Sequence, residues 1–377
     1  MRFAILTGIV AISGLSQGML LPLLAMLLDE SGVSSTVNGA HAAALYIGVL
    51  AISPFLERPL SKYGYKPMMI LGGFIVICSL ILFPLFPSFF FWLLLRFSIG
   101  MGDHMLHFAT QTWITDFSPP AERGRRLSLY GLAFGLGFTA GPLLASLASI
   151  DEALPFYSAA FLSFVGLVSI FWVPNEKPKP FERSSSAAGR WIGAWKYSWP
   201  ALLLPLTYGF LEAAVHSVFP LYALHKQMSA EQISLILPLF SFGGIVFQLP
   251  LGALGDRFGR RIAITGALLA GISCFLGALA VSPSTVGLAA CLFAAGMFTG
   301  SLFSLGIAYM TDLLPKALLP AGNLLSGMLY SLGSIIGPPL AGSAVDATAD
   351  AFFLAVSAVL LIPIVCLARR REQEKAA

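Results

Sequence analysis

The sequence predicts an all-α membrane protein of twelve transmembrane helices, arranged as two repeated six-helix halves. Three observations predict it. Of 377 residues, 57% are hydrophobic and 11% charged, with a mean hydropathy of +0.84, whereas globular domains carry roughly 25% charged residues. A soluble fold of this length could not hide so much apolar surface. Runs of about 20 apolar residues, the length that crosses a bilayer core, occur twelve times. Finally, sliding the chain on itself by 196 residues aligns its two halves.

The runs lie near 3–28, 37–56, 67–87, 89–114, 127–149, 154–173, 200–223, 231–251, 261–281, 285–310, 322–345 and 351–368. The first opens like a signal peptide, with Arg2 before an apolar stretch. Its apolar character continues to Leu28 without a small-residue cleavage site, so it reads as a retained span. Cys78, Cys274, Cys291 and Cys366 all fall inside apolar runs, and no disulfide framework is expected. The predicted units are an N-terminal bundle (1–173), a linker (174–199), a C-terminal bundle (200–368) and a basic tail (369–377). The linker, "PNEKPKPFERSSSAAGRWIGAWKYSW", is rich in Pro, Ser and charge. Its Trp191, Trp195 and Trp199 suit either a short interfacial helix or an aromatic anchor leading into span seven.

An even number of spans returns both termini to one side, and loop charge says which. With the N-terminus in the cytoplasm, 20 of 22 basic residues lie inside, only Lys226 lies outside and only Arg96 lies in the membrane. The outer loops then hold Asp29, Glu30, Asp151, Glu152, Glu231, Asp346 and Asp350. A multi-pass protein of the cytoplasmic membrane, with both termini inside, is the expectation.

The repeat is specific. "ITDFSPPA" (114–121) falls on "MTDLLPKA" (310–317), "GFTAGPLLAS" (137–146) on "GSIIGPPLAG" (333–342), and "SKYGYK" (61–66) on "DRFGRR" (256–261). The stretch "GALGDRFGRR" (252–261) resembles the inner-loop signature of the major facilitator superfamily, Gly-x-Leu-x-Asp-Arg-x-Gly-Arg-Arg. The first-half copy departs from it, with Ser61 in place of the acid and Glu57 in place of the leading glycine. Arg96, Gly100 and Gly102 meet the family's Arg-x-x-x-Gly-x-Gly pattern. Gly137, Gly141 and Pro142 meet a span-five pattern similar to that of proton-driven drug and metabolite exporters, repeated in Gly333, Gly337 and Pro338. The resemblance implies a secondary transporter, not an enzyme, working by alternating access about a midplane site. It gives Asp256, Arg257, Gly259 and Arg260 an inner-loop gating role, and places spans one, four, seven and ten around the cavity.

One stretch concentrates charge: "LLLRFSIGMGDHMLHF" (93–108). Arg96, Gly100, Asp103 and His107 recur at helical spacing and share one face. An intramembrane charge costs roughly 2.5–3.5 kcal/mol by insertion scales, so it should face protein or water. Their repeat partners Leu292, Gly296, Thr299 and Phe303 carry no charge, which points to function rather than folding. In span seven, Glu212 and His216 sit four residues apart on one face. Asp103 and Glu212 are the predicted proton-coupling carboxyls, with Arg96 as switching partner, because drying disfavours a carboxylate's charge and a nearby cation favours it. A static Arg96–acid pair is the structural alternative. Ser16, Gln17, Gly100, His107, Tyr208, His216 and Thr299 are the candidate substrate-binding residues. The letters "GLSQG" (14–18) match a nucleophile elbow, but that motif needs a strand-turn-helix. Asp103, His104 and His107 could be imagined as metal ligands, but the adjacent Asp103 and His104 diverge around a helix, so no metal is expected. Neither is a cofactor, a nucleic acid or an oligomeric partner; the predicted partners are a small molecule, a proton and the bilayer. Export against protons is the leading expectation. Uptake of a nutrient or organic anion by symport, or a sensor without turnover, are the alternatives.

Overall fold

The computed structural model describes residues 2–177, 187–282, 284–315 and 318–376, and all regular structure among them is helical. Residues 178–186 of the expected linker, Lys316 and Ala317 lie outside the described residues. So do the side chains of Glu57, Arg123, Arg125, Arg190 and 369–376. The helices are α1 (Arg2–Glu30), α2 (Ser35–Ile52), α3 (Glu57–Tyr63), α4 (Tyr65–Leu85), α5 (Phe89–Phe117), α6 (Pro120–Ala145) and α7 (Leu154–Ser169). They continue with α8 (Ala187–His225), α9 (Ala230–Phe258), α10 (Arg260–Val281), α11 (Thr285–Thr299), α12 (Leu302–Leu313), α13 (Leu319–Ala347) and α14 (Ala351–Ala376).

The protein is an all-helical membrane protein of twelve spans. Eleven helical stretches among the described residues are long and apolar enough to cross a bilayer by composition. The twelfth is α5, 29 residues long, whose charged stripe lowers its hydropathy. α3 is a short helix in the turn between spans two and three, and α11 with α12 form one span broken at Gly300–Ser301. The tryptophans of the linker lie in α8, which runs unbroken from Ala187 into span seven. They belong to the same helix as that span.

The chain divides into two compact units: Met1–Leu28 with His41–Arg183, and Asp29–Ala40 with Ser184–Ala377. In the first, glycines set the spacing of helices. A Cβ added at Gly137 would lie 1.9 Å from Ala11 O, and one at Gly14 would lie 2.3 Å from Phe134 O. The backbones of α1 and α6 therefore touch, as small residues allow in membrane bundles. Gly141 meets Gly18 likewise, and Gly100 meets Leu45 O of α2 at 1.9 Å. The second unit repeats the pattern at a shift of 195–196. There Gly333 meets Leu206 O at 2.0 Å, Gly209 meets Tyr330 O at 2.1 Å and Gly296 meets Phe240 O at 1.9 Å, whereas Gly337 departs from the repeat and meets Phe210 O, not the counterpart of Gly18. Pro142 and Pro338 sit inside α6 and α13, where each removes one helix hydrogen bond.

Candidate functional site

The polar stripe of α5 meets different neighbours along its length. Gly100 and Arg96 face α2, whereas Asp103 and His107 face α1 and α6. Asp103 is 6% exposed. Ser13 Oγ donates to its Oδ1 at 2.5 Å, and Gln17 Nε2 donates to its Oδ2. His107 Nε2 stands 3.7 Å from Asp103 Oδ2 and 3.0 Å from Ser13 Oγ. His107 Nδ1 meets the Tyr130 hydroxyl, which also bonds Gln111. Proton accounting orders this chain. Ser13 has one hydroxyl proton; donated to Asp103, it leaves Oγ to accept from His107 Nε2–H, and with the imidazole neutral Nδ1 accepts from Tyr130. Three hydrogen bonds then point the same way, from Tyr130 through His107 and Ser13 to Asp103.

Arg96 is bonded elsewhere. Its guanidinium is fully buried, and Nη1 reaches His41 Nδ1 at 3.0 Å. His41 Nε2 lies 3.2 Å from Phe89 O, so the imidazole donates there and accepts from Arg96. This replaces the Arg96–acid pair considered from sequence: Asp103 lies seven residues on, about 10 Å along the helix, inside its own cage. His104 turns away from the stripe, with Nε2 2.9 Å from Ser53 Oγ.

In the second unit Glu212 accepts from Tyr208 at 3.1 Å through Oε1 and from Tyr330 at 2.5 Å through Oε2. Phe303 packs edge-on against Tyr330, with ring centroids 5.7 Å apart. His216 Nε2 bonds Ser241 Oγ at 3.0 Å. Two candidates use their hydroxyls locally. Ser16 Oγ bonds Ile12 O at 3.1 Å and Ser163 Oγ at 3.3 Å. Thr299 bonds Ala295 O at 2.7 Å, and its methyl lies against Gly271.

Sequence reasoning missed Ser13, Tyr130, Tyr330 and a correspondence. At a shift of 195 Gln17 is the repeat partner of Glu212, just as Thr299 is that of Asp103 at 196. Each unit therefore has one carboxyl at this pair of positions, on α5 in the first and on α8 in the second. The exchange of Gln for Glu hides the match from a search for identical letters.

The turns between spans two and three and between spans eight and nine also pair. Gly64 and Gly259 both have φ 93°, a conformation glycine adopts freely. In the second unit Arg260 bridges Asp256 at 2.6 Å and Asp312 at 3.4 Å, while Arg257 lies over the Phe258 ring. In the first unit Tyr65, the counterpart of Arg260, donates to Asp116, the counterpart of Asp312. The linker supplies what Ser61 does not. Asn175 Oδ1 accepts from Lys66 N, Asn175 Nδ2 donates to Tyr63 O, and Glu176 O accepts from Tyr65 N. The Glu176 carboxylate takes Trp113 Nε1 at 2.8 Å and Arg2 Nη1 at 2.6 Å. The Trp113 hydrogen bond, reinforced by Arg2, holds that carboxyl below its ordinary range.

Twelve spans in two repeated six-span units, with buried ionisable groups on spans two, four and seven, define a membrane transporter of the twelve-span class. The Major Facilitator Superfamily profile matches residues 6–224 and 201–377, and the chain belongs to that superfamily, whose members are transporters and not enzymes. It is 49% identical over 344 residues to the uncharacterised MFS-type transporter YfkF of Bacillus subtilis strain 168, covering 90% of this chain and 88% of YfkF. It is 24% identical to YcaD of Shigella flexneri serotype 5b, over 94% of each chain. Among solved structures, a point mutant of the nucleoside transporter NupG superposes with a TM-score of 0.83 at 13% identity, over 98% of this chain and 99% of NupG. A bacterial homologue of the lysosomal transporter Spinster, inward-facing and occupied, gives 0.73 at 16% identity, over 97% and 95%. These likenesses are of fold.

Proposed function

We propose that the protein exports a small molecule across the cytoplasmic membrane in exchange for protons, as a monomer working by alternating access. The observation that carries this reading is the aligned chain Tyr130–His107–Ser13–Asp103, a buried carboxyl reached by hydrogen bonds that all run toward it. No described cation stabilises Asp103, since His107 is neutral in that arrangement. A carboxylate so deep in a membrane bundle keeps its charge only while donors or water solvate it. A conformational change that parts α1 from α5 removes Ser13 and Gln17 from it and favours proton uptake; the reverse favours release. Glu212, held by two neutral phenols, is the second candidate carrier. The span-five pattern of Gly137, Gly141 and Pro142 supports export. Arg96 supports a second reading, proton-coupled uptake of an organic anion.

The test is reconstitution into proteoliposomes with an imposed pH gradient and an internal pH-sensitive dye, screening compounds for substrate-dependent proton movement. Asp103→Asn or Glu212→Gln is expected to abolish that movement. Undiminished coupling in both variants would overturn the proposal.

A further inference from the structure

We propose that Arg96 is a binding site for a carboxylate, and that the transported molecule is an organic anion docked there through a two-point contact. The inference rests on the reading of the chain as a small-molecule transporter and adds the chemical class of its cargo.

A guanidinium has three edges, of which the lateral one, formed by Nε and Nη2, presents two parallel N–H donors to a carboxylate. In Arg96 the opposite nitrogen, Nη1, is fixed by His41 Nδ1 at 3.0 Å, and His41 is itself fixed by Phe89 O. Nε and Nη2 are both covered by protein in this conformation and have no hydrogen-bond partner among the described residues, so an anion reaches them in a conformation that opens this face of α5. The two groups left over are therefore the pair that binds an oxyanion side-on.

Charge accounting points the same way. Arg96 is 0% exposed within a membrane helix, and burying an unpaired cation is costly unless an anion or hydrogen-bond acceptors compensate it. Its polar partner His41 is held as an acceptor and is neutral. Tyr46, which interacts electrostatically with Arg96, is a phenol. No described acid forms an ion pair with it. The protein supplies positioning and donors but no counter-charge, and a carboxylate ligand would bring both the charge and the two acceptors. Gly100, one turn along α5, has its backbone against Leu45 O. That contact holds α2 to α5 and keeps His41 in register with Arg96.

The smallest carboxylate isolates this contact from the rest of any substrate. Purified full-length protein in detergent is heated with acetate, with acetamide at equal concentration, and with sodium chloride at equal ionic strength. Acetate is expected to raise the Tm by about 2 °C or more at saturation, and the others are not. Arg96→Gln should abolish the shift. Arg96→Lys keeps the charge without the two-donor edge and should reduce it severalfold, which guards against a variant that fails through misfolding. An acetate shift that survives Arg96→Gln, or one matched by chloride or acetamide, would overturn the assignment, as would no shift in the wild type. Because no pH gradient is applied, failure here leaves proton coupling through Asp103 intact. Loss of coupling in the Asp103 and Glu212 variants, conversely, does not bear on this site.

Discussion

A buried carboxylate is as stable as the donors around it, and at Asp103 those donors come from another helix. Gln17 and Ser13, four residues apart on α1, each hold one carboxylate oxygen. A hydrogen bond to a charged group contributes about 1.5–3 kcal/mol, and leaving its acceptor unpaired in a dry site costs a comparable amount. Gln17→Leu and Ser13→Ala are therefore each expected to lower the Tm of the purified protein by several degrees. Because both act on one carboxyl, the effects couple. In an Asp103→Leu background, loss of Gln17 should cost far less than in the wild type. Equal losses in the two backgrounds would show that Gln17 acts elsewhere. The stripe Arg96–Asp103–His107 was legible in the sequence because charge in an apolar helix is conspicuous. Its partners were not. Ser13, Tyr130 and Tyr330 are unremarkable letters in helices that are apolar on every side, where periodicity carries little information about which face meets which neighbour.

At the scale of elements, helix spacing is set by glycines whose contacts repeat between the units. Gly137 and Gly333 occupy equivalent positions, and an added Cβ would meet a backbone carbonyl at 1.9 and 2.0 Å. Backbone cannot step aside as a side chain can, so even alanine there must push two helices apart, an overpacking cost of about 1–3 kcal/mol. The repeat supplies matched controls. Gly131 and Gly327, also equivalent, have nothing within 4 Å of an added Cβ, and alanine at an open helical position is neutral or favourable by up to about 1 kcal/mol. Thermal scans should show Gly137→Ala and Gly333→Ala destabilised, with Gly131→Ala and Gly327→Ala at or above the wild type. Four indistinguishable variants would remove the packing argument. The glycine ladder was readable as spacing, but not which glycines touch a carbonyl. The break of span ten at Gly300–Ser301 was not foreseen either: Gly300 packs against Gly244 of a neighbouring helix, a contact that a single-segment pattern does not contain.

Over the whole molecule, the distribution of basic residues predicts an orientation. With both termini inside, the lone outer basic residue is Lys226, and the structure pairs it with Asp350 at 2.8 Å. That hydrogen bond raises the lysine's affinity for its proton. One outer basic residue against 20 inner ones opposes the positive-inside bias little, so the asymmetry of the loops should decide the topology. Single cysteines test it. In a background lacking the four native cysteines, Lys226→Cys should react with a membrane-impermeant maleimide in intact cells. Arg58→Cys, exposed on α3 and expected inside, should react only after permeabilisation. The reverse pattern would invert every inner and outer assignment made from charge, including the side from which the chain through Tyr130 and His107 approaches Asp103. It would leave the helix packing and the hydrogen bonds around both carboxyls unchanged, because these depend on contacts within each unit rather than on which way the molecule was inserted.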